Sequence, residues 1–163
     1  MEKVNLTISS LQNLYKRNLV IIHDHNEPVK EKTTDDAKVT YTGGFKRKIL
    51  WLHAETMHSL LSDDDHEMVS KILDACRLSW DDIALVNTEK SNQTADHIID
   101  SLAPLFIISS IPSPLLNITH PVLYQLTESA GIKTLCTDTL RDIRTDKNLK
   151  VKFWQSLKNM FQL

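Results

Sequence analysis

Three short runs of uninterrupted apolar residues constrain this chain more than any other feature: Ile49–Leu52, Ile83–Val86 and Leu105–Ile108. Each is too short for a buried helix and lacks the alternation of a half-exposed strand. Each therefore reads as a strand covered on both faces. Between the first two lies a segment of helical periodicity, roughly 63–77, with its stripe on Met68, Val69, Ile72, Leu73 and Cys76. Ser62 can cap it, and Asp63, Asp64 and Asp65 favour the positive end of its dipole. Thr94 caps a second helix, roughly 94–102, with Ile98, Ile99 and Leu102 inward and Pro104 ending it. Strands separated by helices of this length pair in parallel through right-handed crossovers. The expected fold class is α/β, a three-layer α/β/α sandwich around a mainly parallel central sheet.

Further along, residues 109–121 hold three prolines and read as a loop, and Val122–Leu126 and Ile132–Cys136 read as two more strands. Leu149, Phe153, Leu157, Met160 and Phe161 recur at helical spacing, with Trp154 widening the stripe, so a helix over 147–161 closes the chain. Upstream, the pattern divides. Residues 1–46 are expected to form a separate segment: an amphipathic helix near 5–17, a strand at Leu19–His23 and a polar loop over 24–46 with an edge strand around Val39–Tyr41. Residues 47–163 form the α/β domain.

Composition removes several function classes. With three glycines, only two of them close together, neither a GxGxxG fingerprint nor a Walker-type phosphate loop can be written. A formal net charge of −2 is unlike a strongly cationic nucleic-acid binder. Cys76 and Cys136 lie outside any zinc spacing and read as reduced core thiols. No apolar run approaches the ~18 residues of a membrane span. The N-terminus lacks the apolar core of a signal peptide, so a cytoplasmic location is expected.

Candidate chemistry is sparse. His23–Asp24–His25 offers two imidazoles to a metal, but spacing assigns no third ligand, and no metal or other cofactor is expected. His53 and His58 follow the first buried strand, where open α/β sheets gather ligands, with Glu55 the near carboxylate. Ser113, between Pro112 and Pro114, follows the third such strand. His53, Glu55 and Ser113 are thus the cleft candidates if the protein is an enzyme. Between Arg141 and Lys158, six basic side chains stand against two acidic ones. Arg141, Arg144, Lys147, Lys150 and Lys152 form a patch that a phosphate backbone or an acidic partner could use.

Several stretches together resemble a family. Thr139–Leu140–Arg141–Asp142–Ile143–Arg144, Asn148–Leu149–Lys150 and Phe153–Trp154–Gln155–Ser156–Leu157–Lys158 look like the closing signature of the uracil-DNA glycosylase fold. Asp65–Leu78 with Ser79–Trp80–Asp81–Asp82–Ile83, then Val86–Asn87–Thr88–Glu89–Lys90, and Tyr124–Gln125–Leu126 before Gly131, are similar to the psi subunits of bacterial DNA polymerase III, which share that fold. The likeness covers roughly residues 48–161. It departs from the enzymes where their chemistry resides. The loop Leu52–Met57 lacks Gly-x-Asp-Pro, and Pro112–Ser113–Pro114–Leu115 resembles the enzymes' His-Pro-Ser-Pro-Leu with Ile111 in place of the histidine. An isoleucine cannot stabilise a developing anion.

The resemblance implies a non-catalytic adapter that bridges clamp-loader or other replication proteins, with no catalytic residues and at most weak contact with nucleic acid. Psi subunits dock on the clamp loader through a flexible N-terminal segment. Here Ile8, Leu11, Leu14 and Tyr15 would be the partner-binding face. The alternative is a diverged uracil-DNA glycosylase-type enzyme acting on nucleobases through His53 or Glu55.

Overall fold

The computed structural model describes residues 38–111 and 121–163. The expected helix at 5–17 with Ile8, Leu11, Leu14 and Tyr15, the strand at Leu19–His23, His25 and Ser113 all lie outside the described residues.

The protein is α/β. Five strands, β1 (Ile49–His53), β2 (Ile83–Asn87), β3 (Phe106–Ser110), β4 (Leu126–Ser129) and β5 (Ile132–Cys136), form one sheet in the order β2-β1-β3-β5-β4. The first four neighbours in that order pair in parallel, and β4 pairs antiparallel with β5. The three apolar runs supply three adjacent parallel strands, β2 at the edge beside β1 and β3, and nearly every residue in these strands is buried; Leu105, expected to open the third, lies outside β3 and is exposed. Burial on both faces removes the need for alternation.

The pleat sorts the side chains into two clusters. Ile49, Trp51, Ile83, Leu85, Ile108 and Leu135 join helices α1 (Asp63–Ala75), α3 (Leu140–Thr145) and α4 (Lys147–Phe161). Leu50, Leu52, Ala84, Val86 and Ile107 meet helix α2 (Ala95–Leu102) together with Val39 and Phe45. Capping follows the sequence. Ser62 Oγ accepts from Asp65 N, and Thr94 Oγ1 from His97 N, fixing where α1 and α2 begin.

Three features differ from the sequence reading. Residues 38–46, expected in the polar loop, pack on the sheet: Val39 and Phe45 are buried, and Thr42 bridges Leu85 antiparallel. The folded unit thus extends upstream of residue 47. The strand expected at Val122–Leu126 instead begins at Leu126, because Tyr124 sits in a turn at positive φ just before it, and it runs on to Ser129, where Ala130 and Gly131, both at positive φ, set a tight hairpin onto Ile132. Helix α3 was not anticipated. Thr139 caps it, its Oγ1 accepting from Asp142 N and donating to Asp142 Oδ2.

Gly43 lets the upstream segment approach. Its φ is +111°, and a Cβ there would stand 2.2 Å from the Ile83 carbonyl oxygen. The neighbouring bonds Gly44 N–Trp80 O (3.1 Å) and Phe45 N–Ile83 O (3.0 Å) hold the two backbones together. Gly43→Ala should therefore lower stability by about 2 kcal/mol through strain and overpacking. Thermal unfolding checks this, and hydrogen exchange should show the loss of protection centred on residues 42–45.

Candidate functional site

The carboxyl ends of the parallel strands collect the buried polar side chains. Register places His53 beside both Asn87 and Ser110, and all three share the sheet face of Trp51 and Ile108 because strand side chains alternate. Thr137, just past β5, donates its backbone N–H to Ser109 O at 2.8 Å and adds a fourth group. His53, Asn87, Ser110 and Thr137 are all buried.

The hydroxyls form a closed relay. Trp51 Nε1 donates to Ser110 Oγ at 3.1 Å, Ser110 Oγ lies 3.0 Å from Thr137 Oγ1, and Thr137 Oγ1 donates to Asp138 O at 2.9 Å. Thr137 has one proton and gives it to Asp138 O, so Ser110 is the donor to Thr137. Each hydroxyl proton is engaged within the protein, and Nε2 of the neighbouring His53 takes none of them.

Asn87 is a clamp. Its Nδ2 donates to Glu55 O at 2.9 Å, with longer bonds to His58 O and Ser59 O, and its Oδ1 accepts from Glu55 N and Glu89 N, both at 3.1 Å. One side chain thus shapes the loop after β1. Thr88 adds a bond from N to His53 O at 2.9 Å and another from Oγ1 at 3.1 Å. Asn87→Ala should cost about 1–3 kcal/mol by breaking this set of partly buried bonds to the backbone. Urea unfolding measures the loss, and faster amide exchange over 54–60 localises it.

The cleft candidates are positioned differently from one another. Glu55 Oε1 accepts from Met57 N at 2.8 Å, which holds its carboxyl below the usual range, with His58 Nδ1 3.7 Å away. It is an ionised turn former. His53 is buried, and burial pushes its pKa down to about 4 against the opposing pull of Glu55 and Asp65. It is neutral at neutral pH, and its Nε2 has no hydrogen-bond partner. Structure brings Glu55 and His53 to one loop but not into a hydrogen bond.

Two cavities flank these ends. One of about 300 Å³ involves Ile111, Leu123, Thr137 and Asp138, beyond β3 and β5. The other, of about 380 Å³, involves Tyr41, Ser59, Asn87 and Lys90. His53 lines neither. Tyr124 OH donates to Asp138 Oδ2 at 2.7 Å, and burial first, then this bond, raises the phenol pKa.

The basic patch is divided. Arg141, Lys147, Lys150 and Lys152 are exposed. Arg144 turns instead to α1, pairing with Asp64 and lying with its Nε 2.9 Å from Asp65 Oδ1, close but poorly aligned for a hydrogen bond. Its charge offsets the buried Asp65. Among the described residues, no group of three or more His, Cys, Asp or Glu side chains could hold a metal. Cys76 and Cys136 are unpaired and buried, and burial raises both thiols, that of Cys76 to about 11. No helix among the described residues is long and apolar enough to cross a membrane.

Sequence reasoning missed Asn87, Ser110 and Thr137. The signal was a polar residue ending each apolar run, which becomes a cluster only once strand register is known. Against known proteins, the chain matches no family model and no curated sequence. The class its fold defines is that of an α/β protein with a mostly parallel five-stranded sheet.

Proposed function

We propose that this protein is a non-catalytic adapter with a three-layer, uracil-DNA glycosylase-like scaffold, bridging clamp-loader or other replication proteins as psi subunits do. The observation that carries the reading is the state of the strand ends. The polar groups that base excision would need there are tied into the scaffold: Ser110 and Thr137 in a relay from Trp51, Asn87 in a loop clamp, Glu55 in a turn. Helices on opposite sheet faces support the layered scaffold. The sequence at residue 111, isoleucine, supports the loss of anion stabilisation.

In this reading Ile8, Leu11, Leu14 and Tyr15 dock on a clamp-loader subunit as one helical face. Immobilised full-length protein should retain clamp-loader subunits, and Leu11→Glu with Leu14→Glu should weaken that retention by about tenfold or more, a loss of at least about 1.4 kcal/mol. Equal retention by both would dismiss the docking face.

The glycosylase alternative rests on one observation, the buried and unpartnered Nε2 of His53, which feels the charges of Glu55 and Asp65. Excision of uracil from single-stranded DNA, abolished in His53→Ala, would replace the adapter reading with it.

A further inference from the structure

A groove of about 470 Å³ runs between α1 and α4, with Ile143 and Arg144 of α3 also lining it. Its floor holds Met68 and Ile72 from α1 and Trp154 from α4, all half-buried against the core. The sequence placed Met68 and Ile72 in the inward stripe of the helix. They sit instead at its margin, where α1 and α4 leave a channel that a third helix would fill.

The charges along the groove are unequal. On the α1 rim every acid is matched: Asp64 pairs with Arg144, and Glu67 Oε1 is 2.6 Å from Lys71 Nζ. Helix α4 carries four lysines and no acid. Lys147, Lys150, Trp154 and Lys158 recur at spacings of three and four and so form one stripe. Lys150 lines the groove, and Lys158 Nζ lies 5.9 Å from the Trp154 ring centroid. Among the described residues no ion pair engages Lys147, Lys150 or Lys158. The unmatched charge beside an apolar floor is therefore positive and confined to one rim.

We propose that this groove seats an amphipathic helix of a partner protein, its apolar stripe on Met68, Ile72 and Trp154 and its carboxylates along Lys147, Lys150 and Lys158. A nucleic-acid strand fits less well, since Arg144 and Lys71 are taken up by Asp64 and Glu67, which leaves phosphates one lysine rim beside an apolar floor. The inference rests on the adapter reading and names a second surface for it, separate from Ile8, Leu11, Leu14 and Tyr15.

The test uses the full chain and two synthetic helical peptides of about 15 residues, long enough to form helix on a surface. Both carry leucine at i, i+3, i+4 and i+7. One is flanked by glutamates, the other by lysines. Indole N–H signals in the nuclear magnetic resonance spectrum report binding. Trp51 and Trp80 donate internally to Ser110 and Ser70, so the signal lost in Trp154→Phe identifies the reporter. The glutamate peptide should shift the Trp154 signal and weaken with salt, and the lysine peptide should bind about tenfold more weakly or less.

Ile72→Glu should abolish binding. Should that variant fail to fold, Lys150→Glu with Lys158→Glu, both exposed, should reverse the peptide preference. Equal affinity for the two peptides, no binding, tighter binding of oligothymidylate, or self-association through Ile72 would each overturn the proposal. If the unmodified chain retains clamp-loader subunits but does not prefer the glutamate peptide, the groove falls without the docking face. If retention is absent in the unmodified chain, the adapter reading itself falls.

Discussion

Trp51→Ala should cost about 3–5 kcal/mol and bring a domain of ordinary stability to the edge of unfolding. Trp51 is fully buried at the centre of β1, between β2 and β3. Its ring meets Phe153 of α4 edge-on at 5.8 Å, so its loss opens a cavity between the sheet and the longest helix. A second cost accompanies the cavity. The indole N–H is the first donor of the relay through Ser110 and Thr137, and its removal leaves a buried hydroxyl short of a partner. Trp51→Phe separates the two contributions. Phenylalanine keeps much of the volume but donates nothing, so it should cost about 1–3 kcal/mol. Ser110→Ala, which orphans the same N–H from the other side, should fall in that range too. Urea unfolding of the three variants decides it. A Trp51→Ala loss below about 1 kcal/mol would mean that the sheet centre repacks freely, contrary to its burial.

The same residue shows what was legible in the sequence. Leu50–Trp51–Leu52 announced a strand covered on both faces, and the strand is there. That Trp51 Nε1 would need a partner was also foreseeable, since a buried indole N–H is seldom left alone. Which partner was not, because Ser110 lies 59 positions away and becomes a neighbour only through the β1–β3 register. Helices α1, α2 and α4 declared themselves through caps and stripes, which are local. Helix α3 is six residues long, too short for a stripe to emerge, and only Thr139 with Asp142 marked it.

Residues 38–46 looked like loop because Val39, Tyr41 and Phe45 are scattered among polar neighbours. What recruits them is the close approach that Gly43 and Gly44 permit against Trp80–Ile83. The candidate site was legible as a place, the ends of the strands, but not as chemistry. The same composition of His, Asn, Ser and Thr could serve a reaction or a scaffold. Only hydrogen-bond partners distinguish them.

Acid should destabilise the domain through His53 in a specific window. Burial lowers its folded-state pKa to about 4 from an ordinary 6.5. Between those values the unfolded chain binds the proton and the folded one does not. Stability is therefore complete above about pH 6.5, declines as pH falls toward 4, and loses about 3 kcal/mol across the window, at 1.36 kcal/mol per pKa unit. The groups facing His53 are Glu55 from its own loop and Asp65 from α1, with Arg144 of α3 offsetting Asp65. The two carboxylates soften the burial penalty without supplying a hydrogen bond to Nε2. Glu55, whose own pKa is held low first by Met57 N, also loses its contribution as pH falls through that lowered pKa. His53→Leu removes the titrating group and keeps an apolar side chain in place. Its urea-unfolding stability should be nearly flat from about pH 6.5 to 4.5, while the unmodified protein declines. In the folded protein, one histidine ring of seven should remain uncharged until about pH 4 and disappear from the spectrum of the variant. A His53 that titrates near 6.5, or equal slopes in the two proteins, would mean that water reaches the ring. The strand-end cleft would then be open enough to reconsider catalysis there.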